Sequence, residues 1–221
     1  MSAARLRDQV LPAGVDGTLV KATLDGVYAG HVFSCRWTYG NGTNSMRVCW
    51  VTQLVVHRDY RERGLATHML RMLRDNTVES AVDRNDTVGV FGILSSQPAA
   101  CLALARAVGG PGDLAPLFPS YLSFTCAFAQ AIFAASPVPY VRGAKVGGAQ
   151  FTADPTESVQ PAHAYSPSAA GGDVSVADTQ FFVDHAEPCA ALTRFRTQRG
   201  HPFPLGDNLP AGHEFLLLVP H

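Results

Sequence analysis

The chain has 221 residues, of which 47% are hydrophobic and 16% are charged, and this content is enough to bury the core of one α/β domain. The formal charge of -1 gives no field that would attract nucleic acid or an anionic membrane, so both partner classes are disfavoured. The first residues lack the apolar segment of a signal peptide, and no run reaches the roughly 20 apolar residues that cross a bilayer, so we expect a cytoplasmic protein.

Two β-rich runs, residues 17–24 and 27–39, flank Asp25 and Gly26. Asp-Gly tolerates the positive φ that two-residue hairpin turns require, so the pair predicts a β-hairpin. After a polar turn, the nearly continuous apolar run at residues 48–56 is typical of a strand covered on both faces. We therefore expect a hairpin followed by a central strand.

An amphipathic helix is predicted next, because apolar residues recur at helical spacing over residues 64–82. Residues 88–94 predict a second apolar strand. The Ser-Ser-Gln-Pro string at residues 95–98 indicates a helix start with proline in the first turn, and the alanine-rich residues 99–108 form the helix body.

The pattern is weaker beyond residue 112. The run at residues 153–172 is rich in Pro, Ser, Ala and Gly and predicts a long mobile loop. Phe181 and Phe182 are expected to be core residues of a strand. The other predicted elements are a helix at 119–135, a strand or hairpin at 140–151, a strand at 174–183, a short helix at 187–199 and a closing strand at 213–219.

The string Arg61-Glu-Arg-Gly-Leu-Ala66 stands directly between the central strand and the amphipathic helix. A helix N-terminus preceded by glycine presents unpaired backbone N–H groups and the positive end of a dipole, which together bind a pyrophosphate. Gly64 allows close approach of the backbone to the phosphates, and Arg61 and Arg63 can add charge-assisted contacts. The string therefore predicts a phosphate-binding loop.

This string resembles the R/Q-x-x-G-x-G/A signature of the GNAT superfamily of N-acetyltransferases, and the order of predicted elements around it is similar to that family over residues 17–110. Residues 96–100, Ser-Gln-Pro-Ala-Ala, resemble the second conserved region of the family, with glutamine in an asparagine position. The resemblance implies one domain, 1–221, with a mixed, mostly antiparallel central sheet flanked by helices. Residues 17–110 would form its acyl-CoA-binding core and residues 111–221 a C-terminal elaboration.

The same resemblance implies acetyl-CoA as acyl donor and an amine as acceptor. The acyl carbonyl would lie between the ends of the two central strands, where a backbone N–H group polarises it. The residues that the resemblance assigns to coenzyme binding are Leu54, Val55, Val56, Arg61, Glu62, Arg63, Gly64, Leu65, Ala66, Thr67, Gln97 and Ala100.

Three departures from the family pattern bear on mechanism. Leu104 falls near the position where many members carry a tyrosine that protonates the departing thiolate, and Thr52 stands where one branch places a glutamate base. Only about sixteen residues precede the hairpin, whereas family members have a strand and two helices there. We therefore expect residues 112–172, or a second subunit in a homodimer, to cover the acceptor side of the sheet.

Candidate bases occur in two polar clusters, Asp184, His185 and Glu187 after an apolar run, and His213 with Glu214 at the start of the last strand. A histidine can deprotonate an ammonium group near neutral pH, so His185, Glu187 and His213 are the catalytic candidates. The alternative is that Asp184 and Glu187 cap the following helix and His185 is structural. These residues lack short metal-ligand spacing, so no metal is expected.

The sequence therefore predicts an acetyl-CoA-dependent N-acetyltransferase that acts on a small-molecule amine by direct attack. The near-neutral charge and the missing glutamate argue against a lysine-rich protein tail as acceptor. The alternatives are a protein or peptide N-acetyltransferase, a non-catalytic acyl-CoA-binding module, and a structural domain with an accidental phosphate loop.

Overall fold

The computed structural model describes residues 3–40, 45–82, 88–110, 112–152 and 174–221, which form a seven-stranded sheet flanked by helices. The strands are β1 (Asp16–Leu24), β2 (Val27–Tyr39), β3 (Met46–Val56), β4 (Val88–Ser95), β5 (Lys145–Gly147), β6 (Val176–Asp178) and β7 (His213–Pro220). The helices are α1 (Ala3–Val10), α2 (Leu65–Val82), α3 (Pro98–Gly109), α4 (Phe118–Ala134), α5 (Pro139–Gly143), α6 (Ala149–Thr152) and α7 (Ala186–Arg199).

The strand order in the sheet is β1-β2-β3-β4-β7-β6-β5. β3 and β4 are parallel, whereas the other neighbouring strands of the described sheet are antiparallel. The predicted hairpin is confirmed, because Asp25 and Gly26 have φ of 51° and 78° and connect β1 to β2. The predicted mixed, mostly antiparallel sheet with flanking helices is also confirmed.

Helices cover both faces of the sheet. On one face α2, α3 and α7 pack on alternate residues of β3, β4 and β7, and this cluster includes Met69, Leu70, Leu73, Leu104, Leu192, Phe91 and Ile93. On the other face the second half of α4 and α5 pack on the intervening strand residues, and this cluster includes Ile132, Phe133, Val141, Trp50, Leu94 and Leu216. α4 and α5 belong to residues 112–172, and the expectation that this segment covers the acceptor side of the sheet stays a prediction.

Helix α4 also covers an edge of the sheet. β6 pairs with β7 only from His213 to Phe215. Beyond Phe215, the side of β7 that faces away from β4 has no neighbouring strand within the described residues. Thr125 of α4 accepts a hydrogen bond from the Leu218 N–H group at 3.2 Å. A strand edge with unpaired N–H groups invites association with other chains, and α4 protects this one.

Two predicted strands are wrong in extent. Residues 140–151 form α5, the three-residue strand β5 and α6 instead of a long strand or hairpin. The predicted strand at 174–183 is reduced to β6, because Gln180 adopts a φ of 58° that a strand does not accommodate. Phe181 and Phe182 are therefore 53% and 73% exposed instead of buried. The predicted loop at 153–172 lies outside the described residues.

Among the described helices, none combines the length and the apolar character needed to cross a membrane.

Candidate active site

The sheet topology brings the predicted site residues to one edge. β3 and β4 run in the same direction, and β6 does too, because β6 and β4 are both antiparallel to β7. The ends of β3, β4 and β6 therefore meet the start of β7. This edge carries the predicted phosphate loop after β3, Gln97 after β4, His185 and Glu187 after β6, and His213 at the start of β7.

β3 and β4 diverge at this edge. Their pairing runs from Arg47 and Val88 to Val51 and Ile93, although β3 continues to Val56 and β4 to Ser95. Beyond Val51, the described partner of β3 is β2 alone. The parallel strands therefore leave an opening beyond Val51, where β3 has no ladder partner on its β4 side among the described residues.

A β-bulge on β3 marks the point of divergence. Phe33 pairs with Gln53 and the next residue, Ser34, pairs with Val51, so Thr52 is the extra residue. Bulges bend a strand and re-aim its side chains. The Thr52 Oγ1 atom is buried and has no hydrogen-bond partner in the described part of the chain.

The predicted phosphate loop contains two residues in the left-handed conformation. Glu62 and Gly64 have φ of 61° and 75°, and a Cβ atom at Gly64 would meet no atom within 4 Å. The first backbone bond of α2 runs from the His68 N–H group to the Gly64 carbonyl at 3.0 Å. The N–H groups of residues 65–67 therefore have no acceptor in the helix, and the space beside Gly64 is open.

The two loop arginines differ in their contacts. Arg61 donates from Nε to the Val56 carbonyl at 3.3 Å and from Nη1 to Glu187 at 2.5 Å. Arg63 lies with its guanidinium carbon 5.8 Å from the centre of the Tyr60 ring and has no ion pair with any described residue. Arg63 is thus available to an anion, whereas Arg61 is shared with α7.

A second ion pair fixes α7 to the same loop. Arg194 donates from Nη1 to Glu62 at 2.6 Å, and it lies seven residues after Glu187 in α7. Residues seven apart lie on the same side of a helix, so α7 faces the loop with this side. No sequence pattern indicates either pair, since the partners are more than 120 residues apart.

The loop after β4 forms the start of α3. Ser95 accepts a hydrogen bond from the Gln97 N–H group at 3.1 Å, and Pro98 is the first helical residue. Gln97 occupies the position before the helix but makes no side-chain cap bond, so its amide is not used by the helix terminus. The Ala100 N–H group donates to the Gln97 carbonyl at 3.0 Å.

The three predicted catalytic residues have different surroundings. Glu187 is 64% exposed and paired with Arg61. The Nδ1 atom of His213 is 3.1 Å from the Ala211 carbonyl, so this nitrogen is the donor. His185 has a buried Nε2 atom with no hydrogen-bond partner among the described residues. Asp184 accepts a bond from the Ala186 N–H group at 2.9 Å, as its capping interpretation predicts.

Two further polar residues lie on the face covered by α4 and α5. The Tyr140 hydroxyl donates to the Thr52 carbonyl at 3.4 Å. Glu214 is 9% exposed and shares its face of β7 with Leu216. Burial raises the pKa of Glu214, and a hydrogen bond with Thr179 lowers it in part.

The charge of Glu214 reaches Tyr140. Burial, and then the negative charge of Glu214, raises the pKa of the Tyr140 phenol. The phenol is therefore protonated at neutral pH. No sequence signal marks Tyr140. The alternation in β7 could have placed Glu214 on the covered face, since its neighbours Leu216 and Leu218 are buried there.

No protein-family model matches this chain, and no curated protein matches it. Within the described residues, no group of three or more His, Cys, Asp or Glu side chains has the geometry of a metal site.

Proposed function

We propose that this protein is an acetyl-CoA-dependent N-acetyltransferase that acts on the amine of a small molecule. One combined observation carries the proposal: the glycine loop at the start of α2 follows β3 directly, and β3 separates from its parallel neighbour β4 at the same edge. A diphosphate and a thioester that are joined by a flexible arm need such a pair of sites side by side.

The residues of the loop fit a diphosphate. The open space at Gly64 and the unpaired N–H groups of residues 65–67 favour an anion at this helix N-terminus. Arg63 adds a guanidinium group that pairs with no acidic side chain among the residues that the structure describes. Leu54, Val55 and Val56 present backbone groups beyond the last β4 pairing, and these would bind the amide groups of the pantetheine arm.

When bound, acetyl-CoA supplies an activated acetyl thioester. Transfer forms a C–N bond and breaks a C–S bond, so the amine must lose one proton and the departing thiolate must gain one. Glu214 would accept the first proton, because its burial keeps the carboxylate basic. Tyr140 would donate a hydrogen bond to the thiolate from its neutral hydroxyl, in place of its bond to the Thr52 carbonyl, and water would supply the proton that the thiolate gains. His185, with its buried Nε2 atom, is the second candidate for the base.

A peptide acceptor is the second candidate function, because part of the sheet beside the opening is not covered. Leu19, Tyr28 and Val55 are 54%, 43% and 38% exposed. His31 bonds to Gln53 at 2.9 Å on the same face. An extended peptide could lie on this face and direct its amine towards the opening, whereas a small amine needs no such surface.

Calorimetry with acetyl-CoA and with desulfo-CoA tests the binding half of the proposal. Thiol release with a panel of small amines and short peptides tests the catalytic half and ranks the two acceptor classes. Coenzyme binding without thiol release for any amine would favour the non-catalytic acyl-CoA-binding module. Absence of coenzyme binding would refute both.

A further inference from the structure

A cavity of about 410 Å³ lies between α3 and α7, and none of its lining residues belongs to the phosphate loop. Leu102 and Arg106 of α3 form one wall, and Phe195 and Arg199 of α7 form the other. Leu114 and Phe118 contribute buried apolar surface. The volume falls in the range of small-molecule sites, which is about 300–1,000 Å³.

The cavity carries two arginines that have no acidic partner in the described part of the chain. Neither Arg106 nor Arg199 forms an ion pair with a described residue, in contrast to Arg61 and Arg194, which are paired. Asp113 also lines the cavity, but its carboxylate accepts a hydrogen bond from the Ala115 N–H group at 3.2 Å. Two arginines and one aspartate leave a net charge of +1 when His201 is neutral.

The apolar part of the cavity is held in place by ring contacts. Phe195 packs edge-on against His201 and Phe203, with ring centres 5.5 and 5.4 Å apart. The His201 Nδ1 atom donates to the Pro202 carbonyl at 2.9 Å, which fixes the imidazole. A fixed aromatic wall next to unpaired guanidinium groups suits a ligand with an apolar body and an acidic end.

We propose that this cavity binds a small organic acid, whose carboxylate is held by Arg106 and Arg199 and whose apolar body packs on Phe195 and Leu102. The net positive charge of the lining favours an anion, and a bound carboxylate would form charge-assisted hydrogen bonds with both arginines. The site is separate from the phosphate loop, so the inference does not depend on the proposed acetyltransferase activity.

Calorimetry with octanoate as probe tests the assignment, and octylammonium serves as a probe with the same chain and the opposite charge. The variant Arg106→Gln combined with Arg199→Gln should weaken octanoate binding about 100-fold, at about tenfold for each charged hydrogen-bonding group. Arg71→Gln is the matched control, because Arg71 is an exposed arginine of α2 outside the cavity. It should bind octanoate like the wild type.

Three results would overturn the proposal. One is equal affinity for octanoate and octylammonium, and another is unchanged octanoate affinity in the double variant. The third is displacement of octanoate by saturating coenzyme A, which would place the probe in the phosphate-loop region. Since Arg106 and Arg199 are exposed, both arginine variants should fold, and matching melting temperatures without ligand would verify this.

Discussion

Gly64 allows the proposed coenzyme site to be tested separately from its effect on folding. Gly64 in the phosphate loop and Gly26 in the β1–β2 turn have φ of 75° and 78°, and a Cβ atom at either position would meet nothing within 4 Å. An L-residue in this left-handed conformation costs about 1–2 kcal/mol, so the same substitution should destabilise the fold equally at both positions.

The effect on ligand binding should differ between the two glycines. A glutamate at position 64 would lie where the diphosphate is proposed to bind. With a carboxylate about 5 Å from each of two phosphate charges and an effective dielectric constant of about 40, the repulsion is roughly 3 kcal/mol, or more than a hundredfold in Kd. Gly26→Glu lies in the hairpin turn and should leave the affinity for acetyl-CoA unchanged.

Calorimetry measures the affinity of both variants for acetyl-CoA, and urea denaturation measures their stability. The expected result is a similar loss of stability in Gly64→Glu and Gly26→Glu, with loss of binding only in Gly64→Glu. A folded Gly64→Glu protein that binds acetyl-CoA with wild-type affinity would refute the assignment of this loop. Equal loss of affinity in both variants would show that the effect acts through stability instead.

Three further predictions concern titratable groups around the strand opening. Because burial raises the pKa of Glu214, its ionisation opposes folding, and stability should fall as pH rises through the pKa of the folded protein. Glu214→Gln should therefore raise the melting temperature at pH 8 and show no such gain below about pH 4, where a glutamate is protonated in either state; a gain that is independent of pH would contradict this reasoning. Glu187→Gln frees Arg61 for phosphate contact and should tighten acetyl-CoA binding by up to about fivefold, the value of an exposed ion pair, with the largest gain at low salt. If Glu214 is the base, Glu214→Gln should lower kcat about 10²-fold with unchanged affinity for acetyl-CoA, whereas His185→Ala should keep most of the activity; the reverse ranking in steady-state rates would assign the base to His185.

Short-range patterns predicted the core of this fold correctly. Asp25 and Gly26 tolerate the positive φ of the hairpin turn, and their conformation does not depend on distant residues. The apolar periodicity of α2 likewise follows from burial of one helix face, and the continuous apolar run of β3 follows from burial of both sheet faces. The signal at Gly64 is also short-range, because its left-handed conformation and its place before a helix can be read from neighbouring residues.

The sequence by itself therefore determined the hairpin, the central strands and the loop that we propose binds phosphate, since each depends on residues that are close along the chain. Only the tertiary structure decided which distant groups meet them. It places Tyr140 at the Thr52 carbonyl, 88 residues away in the chain. It also directs Glu187 of α7 to Arg61, 126 residues away, and opens a cavity between α3 and α7. Such contacts arise from the packing of helices on a sheet whose strand order is not the chain order, and no local periodicity encodes them.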